Sequence, residues 1–200
     1  RVLFRSHDLT YVGSYAGRLQ TGSYNTAVGG GALYGTAAGT NTGTYNTGIG
    51  YSALGSNTTG SNNSALGHQA LVSNTTGGYN TAVGYQAAYN NTTGTSITAI
   101  GYQAAYSSTT ANQVTAVGSL SLTNNTGAYN TAMGFAAMNS NTSGANNTAM
   151  GWYALYSNST ASNNTAVGYQ ALYSSTVGDS TAIGYQALYS NTTGSINRSE

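Results

Sequence analysis

The chain contains no cysteine, no proline and no lysine, and charged residues make up only 4% of its 200 positions. The lack of cysteine leaves the redox compartment open. Without lysine, none of its glycine-rich turns can be a phosphate loop. The net charge of +1 and the absence of a basic run exclude the electrostatic footprint of a nucleic-acid binder. No apolar run approaches the roughly 20 residues that cross a bilayer as a helix. No signal peptide is visible, and a chain that begins at Arg1 reads as a processed or partial product. The titratable groups His7, His68, Asp8, Asp179 and Glu200 are mostly scattered among different repeats or at the ends. Asp179 and Glu200 are closest in sequence, but Glu200 ends the chain. No convergent catalytic set or metal cluster follows, so neither an enzyme nor a cofactor is expected.

What is abundant is Gly, Asn, Ser, Thr and Tyr, arranged with a period. A tetrapeptide of the type Thr-Ala-Val-Gly returns along the chain, its glycine falling at Gly13, Gly29, Gly50, Gly67, Gly84, Gly101, Gly118, Gly134, Gly151, Gly168 and Gly184. The spacing is roughly seventeen residues, too short for helical repeats of about 33 or more. Low charge and apolar residues at fixed phase argue for order rather than a disordered polyelectrolyte. Each unit holds two apolar runs, Thr-Ala-Val and Gln-Ala-Leu-Tyr, a Gly-Tyr corner, and a polar stretch of turn formers such as Ser-Asn-Thr-Thr-Gly-Ser-Asn-Asn. This predicts an all-β parallel β-solenoid, a β-roll or β-helix of about eleven coils, with two strands and two turns per coil. Residues 1–9 read as an N-terminal cap or docking segment, 10–194 as the solenoid and 195–200 as a frayed tail. Between Gly29 and Gly50 a longer loop, Gly35 to Thr40, is expected.

Stacking aligns equivalent residues into columns. Val28, Ile49, Leu66, Val83, Ile100, Val117, Met133, Met150, Val167 and Ile183 form one, and Leu54, Leu71, Leu155, Leu172 and Leu188 another. Alanines alternate with both, from Ala27 to Ala182 and from Ala53 to Ala187. Strand alternation sends large and small columns to opposite faces. Either the large residues or the alanines fill the coil, and in both cases an apolar stripe remains outside, as at interaction surfaces. Side-by-side association, as a homotrimer or dimer, is the expectation drawn from it, against a monomer with a tolerated alanine surface.

Three kinds of candidate site emerge. Tyr85, Tyr102, Trp152, Tyr169 and Tyr185 are a candidate sugar-stacking ladder, with the plainer reading that the rings only pack on each other. His68 takes a corner otherwise held by Tyr and reads as a substituted aromatic. Asn-x-Ser/Thr triplets mark Asn57, Asn62, Asn74, Asn90, Asn91, Asn124, Asn141, Asn146, Asn158, Asn163, Asn191 and Asn197 as candidate glycosylation sites, nearly all in one long turn, where sugar would coat one ridge. Arg1, Arg5, Asp8, Arg198 and Glu200 cluster at the ends, where unpaired strand edges must be capped or joined to another copy.

The unit GYQALYSNTTGSNNTAVG, standing in parts at Tyr185 to Gly194 and Asn163 to Leu172, resembles repeats of bacterial tail-fibre-like surface proteins and, more distantly, the head repeats of trimeric autotransporter adhesins. The resemblance covers nearly everything after Gly13. It implies an extracellular or cell-surface, fibrous, trimeric β-roll that binds host matrix or surfaces, while glycans are the partner that the tyrosine ladder would take. Head repeats of those adhesins are usually shorter, and their stalk, anchor and the fibres' self-cleaving chaperone domain do not stand in these residues. The composite expectation is a glycosylated structural subunit of an extracellular fibre or surface appendage, built by end-to-end and/or lateral association of rods into a homotrimer or filament, with an adhesin or carbohydrate-binding rod as one alternative. Another is an ice-binding solenoid using the threonine column from Thr26 to Thr181, which reaches water only if the alanines point inward.

Overall fold

The computed structural model describes residues 9–36 and 41–193. The chain is a parallel β-solenoid with one three-residue strand per coil: β1 (Thr10–Val12), β2 (Thr26–Val28), β3 (Thr47–Ile49), β4 (Ser64–Leu66), β5 (Thr81–Val83), β6 (Thr98–Ile100), β7 (Thr115–Val117), β8 (Thr131–Met133), β9 (Thr148–Met150), β10 (Thr165–Val167) and β11 (Thr181–Ile183). They form a single 11-stranded sheet in sequence order. Each strand pairs in register with the next, so that Thr, Ala and Val meet their counterparts. Ten steps at the usual strand spacing make a rod of roughly 48 Å.

The strands decide the question that alternation left open. In every strand the middle residue is buried and its two neighbours face outward. The alanines therefore fill the coil, and the Thr and Val columns lie outside. The inner face has no room for more. At Gly48, which replaces alanine in β3, an added Cβ would stand 3.0 Å from the Ala53 carbonyl oxygen and 3.4 Å from Leu33 Cγ. In β1 the position belongs to Tyr11, whose ring lies against Gly17 and, with Leu9, fills the first coil.

The second apolar run is not a strand, which corrects the expectation of two strands per coil. Ser52 and Leu54 have φ of 52° and 52°, and the equivalent residues of the other coils do the same. Left-handed backbone costs a non-glycine residue on the order of 1–2 kcal/mol. Two observations offset it. The run still hydrogen-bonds from coil to coil, Ser52 N–H to the Gly30 carbonyl at 2.9 Å and Leu54 N–H to that of Ala70 at 3.0 Å. Successive side chains also no longer alternate, so Ala53 and Leu54 are both fully buried. Burying a leucine contributes about 1.5–3 kcal/mol.

The glycine after each strand turns the corner at φ near 130°, as Gly101 does at 133°, a conformation closed to other residues. Its missing Cβ is also needed for stacking: at Gly101 that atom would lie 2.7 Å from the Gly118 carbonyl oxygen.

The polar stretch contributes to the core as well. Asn57, Asn74 and Asn91 form one fully buried column, their amides linked at 2.8 Å from Asn74 Nδ2 to Asn57 Oδ1 and from Asn91 Nδ2 to Asn74 Oδ1. A second column, Asn25, Asn46, Asn63 and Asn80, stands one residue before β2, β3, β4 and β5, the Oδ1 atoms of Asn25, Asn46 and Asn63 accepting the backbone N–H of the next coil at 2.8–3.0 Å. Both columns donate to the same inward carbonyl, that of Gly60 receiving 2.9 Å bonds from Asn57 and Asn46. Where the second column lacks its amide, buried Ile97 and Val114 take the place before β6 and β7, whereas the first column stays polar, with Ser108 and Ser175 in its gaps.

Candidate interaction surface

The outer wall of the strand sheet carries the Thr column and, on the other side of the inward alanine, the Val/Ile/Leu/Met column. The second column is continuous from Val12 to Ile183, with Leu66 49% and Ile183 60% exposed. Past the glycine corner comes the aromatic column, then a glutamine column whose amides join coil to coil, Gln86 Nε2 to Gln69 Oε1 at 3.0 Å and Gln103 Nε2 to Gln86 Oε1 at 2.9 Å.

The five predicted stacking residues are all exposed but do not form one ladder. Tyr85 and Tyr102 stack at 5.5 Å, in a run that begins with Tyr51 and includes His68, whose ring lies 5.3 Å from Tyr51 and 5.2 Å from Tyr85. His68 is thus a rung, as its position suggested. Ser119 interrupts the column; beyond it Trp152 tilts on Phe135 at 4.7 Å, and Tyr169 stacks on Tyr185 at 5.3 Å. A second aromatic column holds Tyr89 with Tyr106, and Tyr156, Tyr173 and Tyr189. Its Tyr173 hydroxyl is held above the usual phenol range, by desolvation first and then by the neighbouring Tyr189, Tyr156, Tyr153 and Tyr169.

The glycosylation candidates divide. Asn57, Asn74, Asn91, Asn141, Asn158 and Asn191 are buried rungs of the inner column, and a glycan on them is incompatible with the fold. The amide nitrogens of Asn57, Asn74, Asn91, Asn141 and Asn158 are committed to Gly60, Gly77, Gly94, Gly144 and Ala161. Asn62, Asn90, Asn124, Asn146 and Asn163 reach the surface, at two different positions of the coil rather than along one ridge. Asn197 lies outside the described residues.

The docking candidates Arg1, Arg5, Asp8, Arg198 and Glu200 also lie outside the described residues, as do His7 and residues 37–40 of the long loop. Among the described residues, β1 and β11 each pair on one side only. Asp179 accepts a bond from Asn163 Nδ2 at 3.0 Å, and no group of three metal-ligating side chains occurs among the described residues. No helix among them is long and apolar enough to cross a membrane.

The buried asparagine columns escaped the sequence reading, although their signal was present as asparagine recurring at two phases of the repeat in most coils. No protein-family model, no curated protein and no solved structure matches the chain.

Proposed function

We propose that the chain is the stiff shaft of an extracellular or cell-surface fibre, built by lateral association of rods and carrying no chemistry of its own. The observation that supports this is the outward apolar column, unbroken over eleven strands and bordered by exposed rings. A stripe of that length left in water favours burial against a second copy. The in-register sheet and the buried amide columns supply the stiffness, and any glycan is confined to the surface asparagines.

Sedimentation velocity and negative-stain microscopy test the reading. The wild type should form trimers or longer assemblies of uniform width. The double substitution Ile100→Lys and Met133→Lys places charge on the outer wall without touching the core and should yield monomers with an unchanged circular dichroism spectrum. A monomeric wild type at high protein concentration would refute the reading.

A second reading, an ice-binding face, is favoured by the inward alanines, because they turn the Thr column outward in a regular array beside Val. Thermal hysteresis in the purified protein tests it, and its absence at millimolar concentration would dispose of it.

A further inference from the structure

Rings occupy the corner position at Tyr51, His68, Tyr85 and Tyr102, but the two preceding coils have Ser14 and Gly30 there. The stack therefore stops at Tyr51, one face of which carries no ring among the described residues. That face looks into a notch of about 530 Å³ lined by Tyr15, Arg18, Gly30, Gly31, Tyr34 and Tyr51. Its volume falls within the range of small-ligand sites, about 300–1,000 Å³. The notch exists because a rung is missing. A Cβ added at Gly30 would lie 3.5 Å from Tyr51 Cδ2, so a side chain there would rest directly on the ring.

The walls are chemically distinct from the rest of the rod. The Arg18 guanidinium carbon sits 5.1 Å above the Tyr15 ring, and Tyr15 stands edge-on to Tyr34 at 6.2 Å and 89°. Arg18 is the sole Arg or Lys among the described residues, and the sole carboxylate among them, Asp179, lies just before β11 at the other end of the rod. A cation with no carboxylate beside it among the described residues, over one ring and next to a second ring with an open face, recognises a ring that offers an apolar face and bears an anion.

We propose that this notch binds one residue of an acidic saccharide: the C–H face of a uronic acid ring takes the place of the missing rung on Tyr51, and its carboxylate is held by the Arg18 guanidinium. Arginine suits the second part because its planar fork pairs with both carboxylate oxygens. Ser14, Ser52 and the tyrosines of the lining bring hydroxyl groups, which both donate to and accept from those of a sugar ring. This goes beyond the shaft reading and does not depend on association of rods.

Titration calorimetry with α-1,4-digalacturonate, and with its methyl ester as the uncharged counterpart, tests the proposal on the full chain. Digalacturonate should bind at low salt, and both esterification and Arg18→Gln should weaken it by about tenfold or more, the effect of losing one charged hydrogen-bonded pair. Gly30→Tyr should abolish binding by filling the rung. Gly30 is not in the left-handed region, and tyrosine already stands at the equivalent positions 51, 85, 102, 169 and 185, so this variant should melt no lower than the wild type. No heat of binding at millimolar digalacturonate, equal affinity for the ester, or undiminished binding by a folded Gly30→Tyr variant would each overturn the assignment.

Discussion

Replacing Asn74 by aspartate tests the buried amide column with almost no change in volume. Asn74 Nδ2 donates to Asn57 Oδ1 at 2.8 Å and to the Gly77 carbonyl at 3.0 Å, while its Oδ1 accepts from Asn91 Nδ2 at 2.8 Å. The acceptor half of that arrangement survives in a carboxyl group. The donor half does not: an ionised carboxylate would press an oxygen against two acceptors inside a dry core. If the new group stays protonated, it still donates one bond in place of two, a loss of about 1 kcal/mol. Burial and the two facing oxygens both raise its pKa, and buried carboxyls move by up to about 3–5 units.

The pH dependence follows from that direction. A carboxyl whose pKa is raised by folding destabilises least below its unfolded value near 3.9 and increasingly as the pH rises towards its folded value. The roughly three units between there and pH 7, at about 1.36 kcal/mol each, add about 4 kcal/mol to the acid-state cost. Urea denaturation followed by circular dichroism at about pH 3 and pH 7 reads both ends of this window. Asn62→Asp is the control, because Asn62 is exposed and Asp179 holds the equivalent place in another coil; its effect should stay within about 0.5 kcal/mol. Equal effects of the two substitutions at neutral pH would refute the buried column.

Three other outcomes follow from the geometry. Ser108 interrupts the inner column, leaving Asn91 Oδ1 and its own hydroxyl buried without partners; Ser108→Asn should restore the rung and stabilise by about 1 kcal/mol in the same urea assay. Gly101→Ala should cost at least about 3 kcal/mol, since it combines a forbidden φ with a Cβ 2.7 Å from the Gly118 carbonyl oxygen. Tyr11 and Tyr173 both have raised pKa values, Tyr11 by burial that the nearby Asn25 amide offsets only in part. Their contribution is therefore complete below the ordinary phenol value near 10 and lost as the pH rises through the folded values. Because the buried Tyr11 Oη has no hydrogen-bond partner, Tyr11→Phe should be neutral at pH 7 and should flatten the alkaline loss, as measured by thermal melts across that range.

Much of this was legible in the period, because stacking turns any invariant phase into a column. Glycines, strand alanines and outward valines are columns in the sequence and columns in the rod. What alternation could not tell was which face looks inward. That is settled by the opposite wall: Leu33, Leu54 and Leu71 come from the second run and leave space for no more than a methyl group on the strand side. The second run reads as a strand because Gln-Ala-Leu-Tyr is apolar and short, but tertiary packing overrides local preference and accepts left-handed backbone at Leu54 to bury two neighbours at once. Asparagine misled in a different way. As a turn former it reads as surface, yet Asn57 and Asn46 are interior because only an amide can both donate to the inward Gly60 carbonyl and hand an acceptor to the next coil.

The two asparagine columns also explain where the repeat tolerates the loss of a residue, although the one lengthened coil carries its extra residues between Gly35 and Asn41. From Asn46 to Asn57 the chain covers the same number of residues as from Asn63 to Asn74, Asn130 to Asn141 and Asn147 to Asn158, while the arc from Asn57 to Asn63 shrinks by one residue between Asn125 and Asn130. The shorter arc closes with an added bond from Asn130 Nδ2 to Asn125 Oδ1 at 3.0 Å. A one-residue deletion should thus be cheap in the arc and costly in a block such as Asn63 to Asn74. Removing exposed Thr76 forfeits its 3.2 Å backbone bond to the Thr92 carbonyl, about 1 kcal/mol, and leaves an arc of a length the molecule already uses. Removing Gln69 drags Leu71 out of the core, at about 1.5–3 kcal/mol, and pulls Asn74 off its three amide bonds at about 1 kcal/mol each. Urea midpoints of the two deletions should therefore differ severalfold in their shift from wild type. Similar shifts would mean that the amide columns do not anchor the coil, and that the outer wall is kept in line by the strands alone.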